Sequence, residues 1–295
     1  MASIQSKLLN ALLKLINKKD FLRKQLAAGN QGLFNCPTPP ARIHRHCLVR
    51  KSRINDNNVF TLSPRNRKDS GRHILYLHGG AYVNNFVIFH WTFLAELVRR
   101  TGCTITAPDY PLAPEHTCKE SFAMAMTLYE QLTQIVPPAN LTLMGDSAGG
   151  GFALALAQKL WHEGLPQPGR IILLSPWLDI TLSNPGIKEI NKIDPFLGIA
   201  GLQEAGRIYA GEMDPSGYLL SPINGILEGL GKISVFTGSR DILVADARKL
   251  RQLAASKGIE IDYYEYKEMF HAWMLLNFPE SQKAKQQIID LLQRS

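Results

Sequence analysis

Short apolar runs alternate with longer helix-like segments along most of the chain, from about residue 73 onward. Runs rich in Ile, Leu and Val are typical of buried strands, and apolar residues spaced three or four apart are typical of helices. Because parallel strands need a crossover between them, this alternation predicts a mostly parallel sheet flanked by helices. The predicted strands are residues 74–77, 104–106, 141–144, 171–174, 233–237 and 261–266, and the predicted helices are residues 91–100, 119–136, 148–163, 244–257 and 281–292.

The segment before residue 73 follows a different pattern. Apolar residues from Ile4 to Leu22 recur at helical spacing and predict one helix over residues 3–28. Two strand-like runs, residues 47–53 and 58–63, flank a turn rich in Asn and Asp, and they predict an antiparallel hairpin. With this hairpin the predicted sheet has eight strands.

The alternation is interrupted only between about residues 180 and 228, in a stretch rich in Pro and Gly with one helix-like run at 202–210. An insertion at this point lies over the carboxyl edge of the sheet, where ligands bind in folds of this kind. The length of 295 residues is compatible with one or two domains. We expect a single domain over residues 1–295, because α/β folds of this length commonly form one core.

The charge distribution argues against a nucleic-acid-binding groove in the sheet-forming part of the chain. The net charge is +8, but residues 1–72 hold fifteen Lys and Arg against three Asp and Glu, a balance of +12. The remaining residues hold eighteen against twenty-two, a balance of −4. A nucleic-acid groove requires a basic surface, so no nucleic-acid partner is expected.

Neither a membrane span nor a metal site is expected. No apolar run reaches the length of about 18 residues that a spanning helix needs. Lysines interrupt the apolar residues near the N-terminus, which does not resemble a secretory signal, and we expect a cytoplasmic protein. The cysteines show no CxxC pair and no zinc-like spacing, so we expect reduced thiols. They are Cys36, Cys47, Cys103 and Cys118. Catalysis by a serine, a histidine and an aspartate, for which the motifs below give the residues, needs neither a metal nor an organic cofactor.

The most specific motif is Gly145-Asp146-Ser147-Ala148-Gly149, which matches the pattern G-x-S-x-G. It follows the predicted strand 141–144 and opens the predicted helix 148–163, which is the strand–turn–helix setting of a nucleophile elbow. The turn is so tight that small residues are needed on both sides of the serine. We therefore predict that Ser147 is a nucleophile held above the sheet.

A second motif, His78-Gly79-Gly80-Ala81-Tyr82, comes directly after the predicted strand 74–77. Acyl transfer builds negative charge on the former carbonyl oxygen, and preorganised backbone N–H groups stabilise that charge. Glycines allow the backbone to approach the substrate closely. We predict an oxyanion hole formed by Gly80 and Ala81, with Gly79 as a further candidate, together with Ala148, the residue after the nucleophile.

A serine nucleophile needs a general base and an acid that orients the base. Among eight histidines, His271 lies in the loop directly after the last predicted strand, from where it can return to the serine. Asp241 lies just beyond the strand 233–237, and it is favoured as the acid over Asp246, which lies one turn into a helix. The chain order Ser147, Asp241, His271 is the order that an α/β-hydrolase triad requires.

These motifs resemble those of the hormone-sensitive-lipase-like family of α/β-hydrolase carboxylesterases. The resemblance is collinear over about residues 70–280, and it implies an α/β-hydrolase fold with a helical cap formed by about residues 1–45 and 180–228. Where family members often carry a third glycine, this chain has Ala81, which still offers an N–H group. The shared motifs are HGGAY at 78–82, YPLAPEH at 110–116, GDSAGG at 145–150, SPWLD at 175–179, SRDIL at 239–243 and FHAW at 270–273.

The resemblance implies a serine carboxylesterase that hydrolyses short-chain acyl esters, acetyl to hexanoyl, through an acyl-enzyme. Two other functions remain open: an amidase or deacetylase of the formamidase or arylacetamide type, and a ligand-binding protein on an inactive hydrolase scaffold. Comparing the hydrolysis rates of matched ester and anilide substrates would distinguish an esterase from an amidase. Labelling of Ser147 by a fluorophosphonate would distinguish an active enzyme from a ligand-binding protein. The candidates for the wall of the substrate pocket are Tyr82, Phe86, Trp177, Phe196 and Met269.

The basic N-terminal helix also has two interpretations. It could belong to the cap and cover the pocket, with its lysines simply solvated. It could instead lie on a membrane surface as an interfacial helix. Members of the family occur as monomers, dimers and tetramers, so the resemblance leaves a homodimer or tetramer open.

Overall fold

The apolar runs come together as one sheet in the computed structural model, which describes residues 2–29, 32 and 34–294. The strands are β1 (Cys47–Ile54), β2 (Asn57–Pro64), β3 (His73–Leu77), β4 (Thr104–Pro108), β5 (Leu141–Asp146), β6 (Arg170–Leu174), β7 (Lys232–Gly238) and β8 (Asp262–Tyr266). Their order across the sheet is β1-β2-β4-β3-β5-β6-β7-β8. The pairs β1–β2 and β2–β4 are antiparallel and all other pairs are parallel, which confirms the predicted eight-stranded, mostly parallel sheet.

The helices of the described residues fill the connections between these strands and form two further groups outside the sheet. They are α1 (Ile4–Leu15), α2 (Phe21–Ala27), α3 (Ile88–Thr101), α4 (Cys118–Thr133), α5 (Ala148–His162), α6 (Ile187–Asn191), α7 (Ile199–Ala210), α8 (Val244–Ser256) and α9 (Pro279–Gln293). Helices α1 and α2 precede the sheet, and α6 and α7 lie in the insertion between β6 and β7. Helix α2 packs against α7, so the two groups are joined.

Two hydrophobic clusters cover the two faces of the sheet. Successive side chains of a strand point to opposite faces. In β3, accordingly, Leu75 and Leu77 join the cluster formed with α4, α5 and α8, while Ile74 and Tyr76 join the cluster formed with α3 and α9. Burial on both faces explains why the central strands are continuous apolar runs rather than alternating ones.

The predicted helix over residues 3–28 is wrong as a single element. Apolar spacing continues across the break, but Asn17 has a left-handed backbone conformation with φ of 48°, which a continuing α-helix cannot contain. A short 3-10 turn at Lys18–Asp20 follows, and α2 then begins at Phe21. Helix α6 was not predicted, because five residues are too few to show a helical period. Of the predicted cap segment 1–45, residues 1, 30, 31 and 33 lie outside the described residues, as does residue 295.

No helix in the described part of the chain combines the length and the apolar character that crossing a bilayer requires.

Candidate active site

Ser147 is the single residue between the last residue of β5 and the first residue of α5. Its backbone has φ of 54° and ψ of −123°, a conformation that costs a non-glycine residue energy and is concentrated at functional sites. Backbone hydrogen bonds to the end of β6 and to the loop after it hold it in place. The Ser147 N–H donates to the Leu174 carbonyl at 2.8 Å, and the Ser147 carbonyl accepts from the Trp177 N–H at 2.8 Å.

The glycines around Ser147 are required by close backbone approaches. A Cβ atom at Gly149 would lie 2.0 Å from the carbonyl oxygen of Leu77, at the end of β3. A Cβ atom at Gly145 would lie 2.2 Å from the carbonyl oxygen of Gly149. Any side chain at either position would therefore push α5 away from β3 and β5, so the spacing of the motif follows from the packing of this turn.

The structure brings Ser147, His271 and Asp241 into one hydrogen-bonded series. His271 Nε2 lies 2.8 Å from Ser147 Oγ, and His271 Nδ1 lies 2.9 Å from Asp241 Oδ2. The three residues follow β5, β7 and β8, whose carboxyl ends meet at one edge of the sheet. Asp246, the alternative acid, instead lies in α8 and accepts from Asn184 Nδ2 at 2.9 Å.

The electrostatic environment of His271 favours its protonated form, which arises when the proton of Ser147 is transferred to it. Burial alone would lower the pKa of His271, but the charge and hydrogen bond of Asp241, with a smaller effect from Asp194, raise it above its ordinary value. Asp241 is fully buried and also accepts from the Leu243 N–H at 3.0 Å, so its orientation is fixed on both oxygens. This is the arrangement by which a carboxylate holds the tautomer of a general base.

Three of the four predicted oxyanion donors are available, and the fourth is not. Within the described residues, the N–H groups of Gly80, Ala81 and Ala148 donate to no protein acceptor. Ala148 is the first residue of α5, where an N–H has no helical partner. The Gly79 N–H donates to Asp146 Oδ1 at 2.9 Å, so the prediction that Gly79 contributes to the oxyanion hole is wrong.

Asp146 connects the serine turn to the glycine loop, a role that the sequence did not indicate. Its side chain is 2% exposed and accepts from the Gly79 N–H and, at 2.6 Å, from the hydroxyl of Tyr76. His90 Nε2 lies 3.3 Å from its other oxygen. Burial alone would raise the pKa of Asp146, but His90 and the hydrogen bonds from Tyr76 and Gly79 lower it to about 2. The carboxylate is therefore charged throughout the range in which the protein would work.

A second buried carboxylate, Asp194, lies close to Asp241 and was also missed. It accepts from the N–H groups of Phe196 at 2.7 Å, Leu197 at 3.0 Å and Ile242 at 2.8 Å. Because Ile242 follows Asp241 directly, these bonds join the insertion to the loop that carries the triad acid. Burial and the negative charge of Asp241 together raise the pKa of Asp194. No sequence motif marks this residue, since its partners are backbone groups.

A cavity of about 450 Å³ opens above Ser147, a size typical of small-molecule sites. Residues of α2, including Phe21, Leu22 and Gln25, line it on one side, and residues 196–198 of the insertion line it on another. Both segments of the expected cap thus reach the cavity, although α1 does not line it. Of the five predicted wall residues, Phe196 lines this cavity, and its ring lies 5.7 Å from that of His271.

The other four predicted wall residues do not line the cavity, because their side chains are used for packing elsewhere. The ring of Tyr82 stacks on Tyr209 at 3.8 Å, and its hydroxyl donates to the Ala148 carbonyl at 2.8 Å. Trp177 also stacks on Tyr82, with ring centroids 5.8 Å apart. Phe86 stacks on Trp91 and beside His78. Met269 is fully buried below the His271 loop.

Lys18 also lines the cavity, which the sequence did not indicate. Its ammonium Nζ lies 3.6 Å from the ring centroid of Phe21, 5.3 Å from that of Phe196 and 5.9 Å from that of Phe34. Among the described residues no carboxylate forms an ion pair with it. Burial lowers its pKa from 10.5 to about 8. Cation–π contacts therefore replace part of the hydration that this ammonium has lost.

The fold and the site together define an α/β-hydrolase. Comparison with known proteins identifies the family of α/β-hydrolases to which the chain belongs. Residues 74–275 match the family described as the α/β hydrolase fold, and the chain belongs to that family. It is 32% identical over 215 residues to an esterase of Acinetobacter venetianus, covering 72% of this chain and 71% of that protein. It is 33% identical over 220 residues to an acetyl-hydrolase of Streptomyces hygroscopicus, covering 74% of each.

A solved structure supports the narrower assignment. The crystal structure of an esterase from the bacterial hormone-sensitive lipase family superimposes with a TM-score of 0.78, at 28% sequence identity and with 84% of each chain covered. The predicted resemblance to the hormone-sensitive-lipase-like carboxylesterases is therefore confirmed.

Proposed function

We propose that this carboxylic ester hydrolase acts on short-chain acyl esters, from acetyl to hexanoyl, through an acyl-enzyme formed on Ser147. The proposal is carried by the hydrogen-bonded series from Asp241 through His271 to Ser147, which ends at the floor of a cavity of about 450 Å³. A cavity of this size, covered by side chains of α2 and the insertion, favours a small acyl group. The relative named acetyl-hydrolase supports the same choice.

In the first half-reaction, Ser147 Oγ attacks the ester carbonyl carbon while His271 Nε2 accepts the serine proton. Asp241 stabilises the imidazolium that forms. Collapse of the tetrahedral intermediate breaks the bond to the alkoxide, which leaves with the proton from His271. In the second half-reaction, water gives a proton to the same imidazole and attacks the acyl carbon. The bond from that carbon to Ser147 Oγ then breaks, the imidazolium returns its proton to Oγ, and the acid leaves. The donors to the oxyanion are the N–H groups of Gly80, Ala81 and Ala148.

A chain-length series of p-nitrophenyl esters, from acetate to palmitate, tests the proposal. We expect kcat/KM to be greatest at or below the hexanoate. Ser147→Ala should lower kcat by a factor on the order of 10⁵ to 10⁶, as loss of a serine nucleophile does elsewhere. Ser256→Ala, at an exposed position at the end of α8, is the matched control and should keep wild-type activity.

Two results would contradict different parts of the proposal. Wild-type activity in the Ser147→Ala variant would show that Ser147 is not the nucleophile. A maximum of kcat/KM on the long-chain p-nitrophenyl esters, with Ser147 still required, would leave the mechanism intact and refute the proposed acyl size. Comparison of phenyl acetate with acetanilide addresses the amidase alternative, since an amidase would hydrolyse the anilide at a rate comparable to that of the ester.

A further inference from the structure

In the first helix of the chain, two polar side chains and Leu13 are buried against the protein, while a row of four other apolar side chains faces solvent. In α1, Ser6 and Asn10 are 0% and 4% exposed. Four apolar side chains spaced four, four and three residues apart share the opposite face, since helical residues three or four apart are neighbours. This outer face of α1 consists of Ile4, Leu8, Leu12 and Leu15, which are between 51% and 84% exposed.

Polar contacts fix this orientation at the start and in the middle of the helix. Ser3, which caps α1, donates its hydroxyl to Glu280 Oε2 at 2.8 Å, at the start of α9. Asn10 donates from Nδ2 to the carbonyl oxygen of Glu268 at 3.4 Å, in the loop that leads to His271. Rotating α1 to bury its outer face would break these contacts and expose Asn10, so the apolar side is held outward by the fold.

The charges beside the outer face indicate what covers it. Lys7 and Lys14 are exposed on α1, and the helix contains no Asp or Glu. Across residues 2–29 there are six Lys and Arg and one acidic residue, Asp20. An apolar face flanked by lysines complements an anionic lipid surface, where acyl chains receive the leucines and headgroups pair with the ammonium groups. Two copies of the chain paired through this face would instead bring their lysines together.

Helix α1 ends close to the cavity, so docking through α1 would bring the cavity close to the membrane surface. Leu15 is three residues before Lys18, which lines the cavity, so their Cα atoms are at most about 11 Å apart. The cavity lining itself exposes Phe34 and Phe89, at 62% and 49%. The outer face of α1 therefore ends near the cavity.

We propose that α1 docks this protein onto the surface of anionic membranes, with the outer face of α1 entering the headgroup region and Lys7 and Lys14 contacting lipid headgroups. The docked helix holds the cavity near the membrane surface, and acyl esters accumulate in the membrane by partitioning into it from water.

Co-sedimentation with sucrose-loaded vesicles tests the proposal. Vesicles of equal parts phosphatidylglycerol and phosphatidylcholine are compared with vesicles of phosphatidylcholine alone. We expect the wild type to bind the anionic vesicles, and the double variant Leu8→Gln/Leu12→Gln to bind at least tenfold more weakly. The pair Lys7→Gln/Lys14→Gln should reduce binding to the anionic vesicles, and salt at 0.5 M should do the same in the wild type.

The matched control is Ile135→Gln, which removes an equally exposed apolar side chain (71% exposed) outside α1 and should bind as the wild type does. Thermal melting of each variant shows whether it is folded. Equal sedimentation of the wild type and Leu8→Gln/Leu12→Gln would overturn the proposal. So would a wild-type dimer, seen by light scattering, that ignores vesicles and dissociates in the double variant, because the face would then join two copies.

Discussion

Replacing Asp146 by Asn tests whether this carboxylate holds the oxyanion loop in place. The substitution keeps the shape of the side chain but exchanges one acceptor oxygen for a donor NH₂ group. In the structure both oxygens face donors: Oδ1 accepts from the Gly79 N–H and the Tyr76 hydroxyl, and Oδ2 faces His90 Nε2. His90 Nδ1 already accepts from the Val87 N–H at 2.9 Å, which leaves Nε2 as the protonated nitrogen.

Either orientation of the new amide leaves at least one buried donor opposite another donor. A buried donor without an acceptor costs about 1–3 kcal/mol, so the free energy of unfolding should fall by about that amount. If the NH₂ group faces Gly79, the glycine loop loses its anchor next to Gly80. Loss of one oxyanion donor costs a factor of about 10² to 10³ in kcat, and a displacement of about 1 Å costs about 10². We therefore expect kcat of Asp146→Asn to fall by about 10 to 10³, with a smaller change in KM.

Urea unfolding and steady-state kinetics on p-nitrophenyl acetate measure the two effects separately. Tyr76→Phe is the matched control, because it removes one donor to Asp146 but leaves the bond to Gly79 intact. It should lower stability while keeping kcat within a few-fold of the wild type. Asp146→Leu has a similar shape but no acceptor for the Gly79 N–H in any orientation, so a folded Asp146→Leu protein with wild-type kcat would refute the positioning role. An equal loss of kcat in Tyr76→Phe would show that the loop is not held through Gly79.

Three further predictions follow from buried groups near the site. Asp194→Asn should lower the pKa of His271, because it removes a nearby negative charge. The acid limb of the plot of kcat/KM against pH should therefore move to lower pH, and an unchanged acid limb would contradict this prediction. Lys18→Met should stabilise the protein most below pH 8, where Lys18 of the folded wild type is a partly buried, protonated ammonium. Between about pH 8 and 10.5 the unfolded wild type holds a proton on Lys18 that the folded wild type has lost, so the difference in unfolding free energy between the two proteins should shrink. A difference in urea unfolding that stays constant with pH would refute this prediction. Gly149→Ala should yield little folded protein by circular dichroism, since its Cβ would lie 2.0 Å from the Leu77 carbonyl oxygen, and a stable, active variant would contradict that packing.

The parts of the site that could be predicted from sequence are those fixed by local backbone geometry. The glycines around Ser147 are there because a Cβ at Gly145 or Gly149 would collide with backbone oxygens. His271 and Asp241 could be placed because each directly follows a strand, and parallel strands bring their carboxyl ends to one edge. In these cases a short stretch of sequence determines where the side chain lies.

The parts that could not be predicted depend on contacts between distant segments. An aromatic side chain such as Tyr82 is equally suited to a cavity wall and to a stacked core, and only the position of Tyr209 on α7 decides between them. Gly79 has the same residue type as Gly80, yet its N–H is occupied by Asp146. Asp194 binds backbone N–H groups from its own loop and from Ile242, so neither its identity nor its spacing marks it.

The N-terminal helix shows a related limit of hydrophobic periodicity. The period determines which residues share a face, and it correctly groups Ile4, Leu8, Leu12 and Leu15. It does not determine whether that face meets the protein or the solvent, because both arrangements have the same period. Here Ser6, Asn10 and Leu13 form the buried side of α1, so the row from Ile4 to Leu15 faces outward. A helix held in that way needs a partner for its apolar face, and its lysines make an anionic lipid surface the partner that matches it.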